Sequence, residues 1–173
     1  MKNLVLCACI LILAFQSSSS AKLKLLKDIL ESNFGNDIRT CMEENNATHS
    51  DWYEREDLMN HVYAEPENEE RTRKVGCWIA CVMKKQNFME GANINEHEIA
   101  KKLQEIFPLS SDEEDEEKEK IYQIADKCTR EVRIFTQECE KCFSLLTCVA
   151  RRSQEERERQ RNTETKEEAA QAE

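Results

Sequence analysis

Apolar residues recur along this chain at intervals of three and four and almost never alternate, which is the pattern of amphipathic helices rather than strands. Leu23, Leu25, Leu26, Ile29 and Leu30 outline a first helix that breaks near Phe34 and Gly35 and resumes toward Cys41. Asn45 to Ser50 is a polar loop, after which Asp51 is placed to cap a short helix carrying Trp52, Leu58, Met59 and Val62; Pro66 separates it from the next. A longer helical run spans Arg71 to Gln86, with Gly91 marking its exit loop. Asn95 then caps a helix defined by Ile99, Leu103, Ile106 and Phe107, which stops at Pro108. Ile121, Ile124 and Ala125 carry a further helix toward Cys128. Val132, Phe135, Cys139, Cys142, Phe143 and Leu146 fall in one narrow sector of a last helix. With three glycines and two prolines in 173 residues, the expected fold is all-α, with about six helices.

The two ends read differently. Lys2, the apolar run Leu4 to Phe15 and the small residues ending at Ala21 form a secretory leader, residues 1–21. That run is too short to cross roughly 30 Å of hydrocarbon, and no later stretch attempts it, so stable membrane insertion is not expected. From Arg151 to Glu173 no large apolar residue occurs; this charged tail, residues 151–173, extends the last helix for a turn or two or is disordered, and buries nothing. Between them, residues 22–150 make one helical domain.

Charge narrows the partners. The whole chain carries a formal −10, and loss of Lys2 with the leader leaves 24 basic against 35 acidic residues, a surface that repels nucleic acid. The acidic stretch Ser110 to Lys120 opens with Ser111 and Glu114 at capping-box spacing and reads as a solvated helix start. It lacks the glycine turn and ordered ligands of a calcium loop.

Removing the leader also removes Cys7 and Cys9, leaving seven of nine cysteines in an oxidising compartment. Cys41, Cys77, Cys81, Cys128, Cys139 and Cys148 are separated by 35, 3, 46, 10 and 8 residues. Cys77 and Cys81 emerge one turn apart on one helix face, so they must reach two different partner segments. Cys139 and Cys148 lie on opposite sides of a second helix. Closing loops of tens of residues contributes up to about 3 to 4 kcal/mol per bridge in the chain-entropy model.

Reactive chemistry finds little support. His49, His61 and His97 sit in no motif with a paired acid or nucleophile, so no catalytic residue and no enzymatic activity are assigned. Cys139-Glu140-Lys141-Cys142 is a CxxC, but it lacks the second ligand pair of a zinc site and the preceding strand of a redox motif; no metal or cofactor is expected. Cys142 is the odd thiol. Either it stays free as a small apolar core residue, or it links two chains into a covalent homodimer. Asn46-Ala47-Thr48 is a candidate glycosylation acceptor at Asn46.

What the apolar residues could do is hold a small hydrophobic molecule. Val75, Ile79, Val82 and Met83, with Trp78 at the margin, lie opposite the cysteines of their helix, and Phe88 and Met89 follow in the exit loop. Candidate pocket positions on the other helices are Leu58, Val62, Leu103, Ile106, Phe107, Ile121, Ile124, Phe135 and Phe143. The same residues can simply pack as ordinary core, which is the reading that composition alone favours; helices tied at fixed points rather than closely supercoiled are what would leave a cavity among them.

The cysteine intervals resemble those of the insect odorant-binding proteins of the pheromone and general odorant-binding type. The three-residue and eight-residue gaps are the most specific marks, and Gly76-Cys77-Trp78-Ile79-Ala80-Cys81-Val82-Met83-Lys84-Lys85-Gln86-Asn87-Phe88-Met89-Glu90-Gly91-Ala92 is similar to the matching stretch of ant pheromone-binding members. The resemblance spans residues 22 to 150. It implies six helices around an apolar cavity, bridged Cys41 to Cys81, Cys77 to Cys139 and Cys128 to Cys148, pairings consistent with the faces on which these cysteines lie. It further implies a secreted, extracellular carrier of an odorant or pheromone, for which a membrane odorant receptor is a conceivable partner. The long acidic interval before Cys128, the extra Cys142 and the charged tail depart from the family pattern. A secreted signalling, defensive or venom component that acts on protein partners is the alternative they leave open.

Overall fold

The computed structural model describes residues 34–106 and 112–171, with no side-chain description at 100, 103–106, 112–118, 121, 160 and 163–171. Among the described residues six helices follow the apolar periodicity: α1 over 34–44, α2 Arg55–Met59, α3 Glu69–Lys85, α4 Glu96–Ile106, α5 Asp112–Glu131 and α6 Glu138–Gln171. The leader, the Leu23 to Leu30 helix, Phe107, Pro108 and the Ser111 capping position lie outside the described residues. So do the side chains of Leu103, Ile106 and Ile121.

The centre of the fold is α3 packed against α6. Glu69 and Glu70 in the first turn of α3 and Lys84 and Lys85 in its last turn complement the helix dipole. One face buries Val75, Gly76, Ala80, Val82 and Met83. Gly76 is where the two helix backbones meet, since a side-chain carbon there would run into the Cys139 carbonyl oxygen and come within 3.1 Å of Phe143 Cβ. The neighbouring Cys77 bonds Cys139 with 4.2 Å between Cα atoms. Cys81, one turn on, bonds Cys41 of α1, and Cys128 of α5 bonds Cys148 of α6. All three pairings are those that the resemblance implied.

Polar termini steer the loops. Asn87 adopts a left-handed conformation (φ 58), which lets Phe88 N–H reach Met83 O at 2.8 Å and Asn87 N–H reach Lys84 O at 3.0 Å. This double closure at the end of α3 folds Phe88 and Met89 back onto the core. Met89–Glu90 and Asn93–Ile94 form a minimal antiparallel hairpin across Gly91, whose φ of 54 a side chain would resist. Buried Lys141 of α6 donates to Ala92 O at 2.6 Å and ties that hairpin down. Asn95 caps α4 as expected, its side-chain oxygen accepting from Glu98 N–H at 3.4 Å.

Three expectations are corrected, and one lies at the limit of the described residues. These begin at Phe34, where α1 is helical through Gly35, with Phe34 buried edge-on against Phe88 and Trp78 Nε1–H donating to Ile38 O at 3.2 Å; the break expected next to these residues adjoins positions outside the described ones. Asp51 caps nothing of its own; its carboxylate accepts from Thr48 N–H at 2.7 Å, and the chain beyond is split among α2 and short 3-10 turns at Val62–Ala64 and Pro66–Asn68. His61, left-handed at φ 58, makes the break. The stripe beginning at Val132 is not one helix: Val132–Ile134 is a 3-10 turn, Phe135 is extended, and α6 starts at Glu138. An antiparallel corner is needed there for Cys128 to meet Cys148, 20 residues on. Finally, α6 continues to Gln171, and its charged part is not wholly bare, with Ser153 buried and Arg152 and Arg157 half-buried.

Gly76→Ala is expected to lower stability by about 1–3 kcal/mol in denaturant titration, because the added methyl must push α3 from α6 across a disulfide that holds them. A neutral result would mean that this backbone contact is looser than described.

Candidate ligand-binding site

The turn-rich segment between α2 and α3 and the corner between α5 and α6 face each other across a cavity of about 270 Å³. Its apolar wall is Leu58 and Met59 from α2, Val132 and Phe135 from the corner, and Cys148 of α6. Leu58 and Val132 also belong to the continuous core, so one side of the cavity is rigid packing. The bridge from Cys128 to Cys148 holds α5 and α6 together along this wall.

The remaining wall is polar. Left-handed His61 turns its ring beside Tyr63, where Nδ1 and the hydroxyl share a hydrogen bond of 2.8 Å. Tyr63 packs its ring edge-on against Tyr53 and Phe143, with 5.3 Å to the latter. Burial pushes the Tyr63 hydroxyl above its ordinary pKa of 10.0, against the opposing pull of the Arg151 charge, so near neutrality it is a protonated donor. Glu131 accepts from Arg151 and from Arg152, each at 2.9 Å. The Arg152 hydrogen bond, helped by Arg151, holds this carboxylate below its ordinary 4.5 despite some desolvation. Glu131 and Arg151 remain 44% and 47% exposed and so stand at the mouth.

A family model, PBP/GOBP family, matches residues 25–152. The chain belongs to the PBP/GOBP family. A similar curated relative is the pheromone-binding protein Gp-9 of Solenopsis globularia littoralis, 26% identical over 111 residues, covering 64% of this chain and 67% of the relative. No solved structure matches at a significant level.

Within this PBP/GOBP chain the candidate pocket residues separate into groups. Leu58 and Phe135 line the cavity. Val75, Met83, Phe88, Met89 and Phe143 are buried in the core cluster, and Val82 is buried at its edge. Ile79 packs partly buried against that cluster, and Val62 is half-buried on its 3-10 turn. Trp78 turns toward α1 and stacks edge-on with Trp52 at 5.2 Å. Ile124 faces a charged groove between α5 and α6, beside Lys127 and Glu156. Periodicity did not find Tyr63, Val132 or Arg151 as wall residues. Tyr63 sits on a turn without period, and Arg151 lies in what reads as a solvated tail; only its place three residues beyond Cys148 hints that it shares a helix with the wall.

Cys142 is fully buried and outside the three bridges, its thiol within 3.6 Å of both the Met83 and Met89 sulfurs. This placement suits the small-apolar reading over a link between chains. Asn46 is exposed, with φ 50, while Thr48 of the same acceptor triplet is engaged with Asp51.

Thiol titration of the folded, oxidised protein is expected to count no reactive sulfhydryl, and one after denaturation without reductant; a fast-reacting thiol in the native state would place Cys142 at the surface. A second expectation concerns Glu131. Because its pKa is lowered in the fold, it contributes stability above its ordinary value near 4.5, and this is lost as pH falls through the lower folded value. Glu131→Gln should therefore reduce stability at neutral pH and flatten the acid limb of a plot of denaturation midpoint against pH. An unchanged acid limb would rule out that contribution.

Proposed function

We propose that this protein is a secreted carrier that takes up a small hydrophobic molecule, an odorant or pheromone, reversibly and moves it through extracellular fluid. The observation that carries the reading is the half-apolar cavity of about 270 Å³, lined in part by the bridged Cys148, in a chain of the PBP/GOBP family. Residues 1–21 serve as the leader that would export it. Among the described residues no helix is long and apolar enough to cross a membrane.

The mechanism needs no covalent step. An aliphatic ligand leaves water for the Leu58, Met59, Val132 and Phe135 wall, and about eight buried methylenes contribute roughly 6 kcal/mol gross at ~0.8 kcal/mol each. Added polar contacts offset part of the cost of lost translation and rotation, so dissociation constants on the order of micromolar are expected. The cavity lies at the lower edge of the roughly 300–1,000 Å³ common for small-molecule sites, which favours short ligands over long ones.

Displacement of a fluorescent probe by alcohols of about six to twelve carbons tests the reading, with saturable binding to the folded monomer as the expected result. Phe135→Ala should weaken that binding by about tenfold while the helical circular dichroism is retained, because this half-buried side chain lies on an extended corner rather than inside the core. No saturable uptake by the wild-type protein would remove the carrier role.

A further inference from the structure

The polar wall of the cavity holds Arg151 together with Glu131. Glu131 is shared between Arg151 and Arg152, the latter just outside the lining, so this three-residue cluster at the mouth of a half-apolar pocket carries two guanidiniums against one carboxylate. This occurs on a chain whose formal charge is −10, where a local cationic excess is not a general surface property. Arg151 lines the cavity itself, and its charge acts on Tyr63, whose hydroxyl lies on the same wall. The pocket thus presents, close together, an aliphatic surface, a protonated phenol and a guanidinium whose nearest carboxylate is already shared with a second arginine. From this juxtaposition we propose that the pocket selects amphiphiles with an anionic carboxylate head, such as medium-chain fatty acids, and that Arg151 is the residue that reads the head group.

This inference rests on the carrier reading above and specifies its ligand. The aliphatic tail lies against Leu58, Met59 and Phe135, while the carboxylate sits at the mouth, accepting from Arg151 and from Tyr63. An alcohol or ester of equal length leaves the same area of the pocket filled but meets no compensating charge. Charge-assisted hydrogen bonds are roughly twice as strong as neutral ones, and the partly exposed mouth moderates the gain. The guanidinium suits this role because its planar fork offers donors to two carboxylates at once, which a lysine ammonium does less well.

The test compares octanoic and decanoic acid with octanol, decanol and the methyl esters, by probe displacement at pH 7.5 in low and in 0.5 M salt. The wild-type protein should bind each acid about tenfold more tightly than its alcohol, and added salt should narrow the gap. In Arg151→Gln the acid-to-alcohol ratio should fall by about tenfold, and Arg151→Lys should recover part of it. Equal binding of acids and alcohols by the wild-type protein would overturn the assignment of the ligand class, and this comparison stands even if the variants fold poorly. A ratio unaltered in Arg151→Gln would overturn the role of Arg151. Loss of the head-group preference with alcohols still bound would leave the carrier reading intact, whereas failure of every ligand to bind would sink both.

Discussion

The direct meeting of the α3 and α6 backbones at Gly76 is the constraint from which the other features of the structure follow. Helices usually pack 8–10 Å apart because side chains intervene. Here a missing side chain lets the Cys139 carbonyl approach α3, and the disulfide beside it fixes the approach. Because α3 is pinned on this side to α6, the thiol of Cys81 one turn on is directed toward α1. The segment 51–53 is then tied to α3 by Arg71, which donates to Asp51 O and Trp52 O and lies over the Tyr53 ring.

With α3 and α6 locked, Val75, Met83, Phe88, Met89, Cys142, Phe143 and Leu146 are buried together in one continuous core. Space survives where the helical order fails. The corner from Val132 to Gln137 and the left-handed His61 both interrupt helices, and the cavity lies between those two interruptions. The bridge from Cys128 to Cys148 ties α5 to α6 along this gap. The wall of the cavity combines a few core residues with polar residues from turns, which is why it is half polar.

The long α6 links the two functions of the fold. Its first half supplies the core and two of the bridged cysteines, and its next turn carries Arg151 and Arg152, which meet Glu131 at the end of α5. Beyond them come local polar pairs such as Gln154 with Glu158, and Glu156 and Arg159 border a groove with Gln123 and Lys127 of α5. A charged segment that reads as bare solvent-facing tail is thus, for its first turns, part of the wall and of the corner clamp.

The helical class, the one-turn spacing that forces Cys77 and Cys81 toward different partners, and the cap at Asn95 were legible in the amino-acid order, because each depends on atoms a few residues apart; the left-handed turn at Asn87 was not. The family resemblance in the cysteine intervals supplied the pairing. Which apolar residues form solid core and which border empty space was not legible: Phe88 and Phe135 both read as candidate pocket residues, yet one is folded in by a helix cap and the other stands on an extended corner. The same holds for Arg151, whose place in the cavity wall beside Glu131 depends on that residue arriving from another helix 20 residues earlier in the chain. Local periodicity determines which face of a helix is greasy, whereas the location of a cavity and the charge at its mouth depend on distances between segments, and those were decided only when Gly76 and three disulfides set the helices in place.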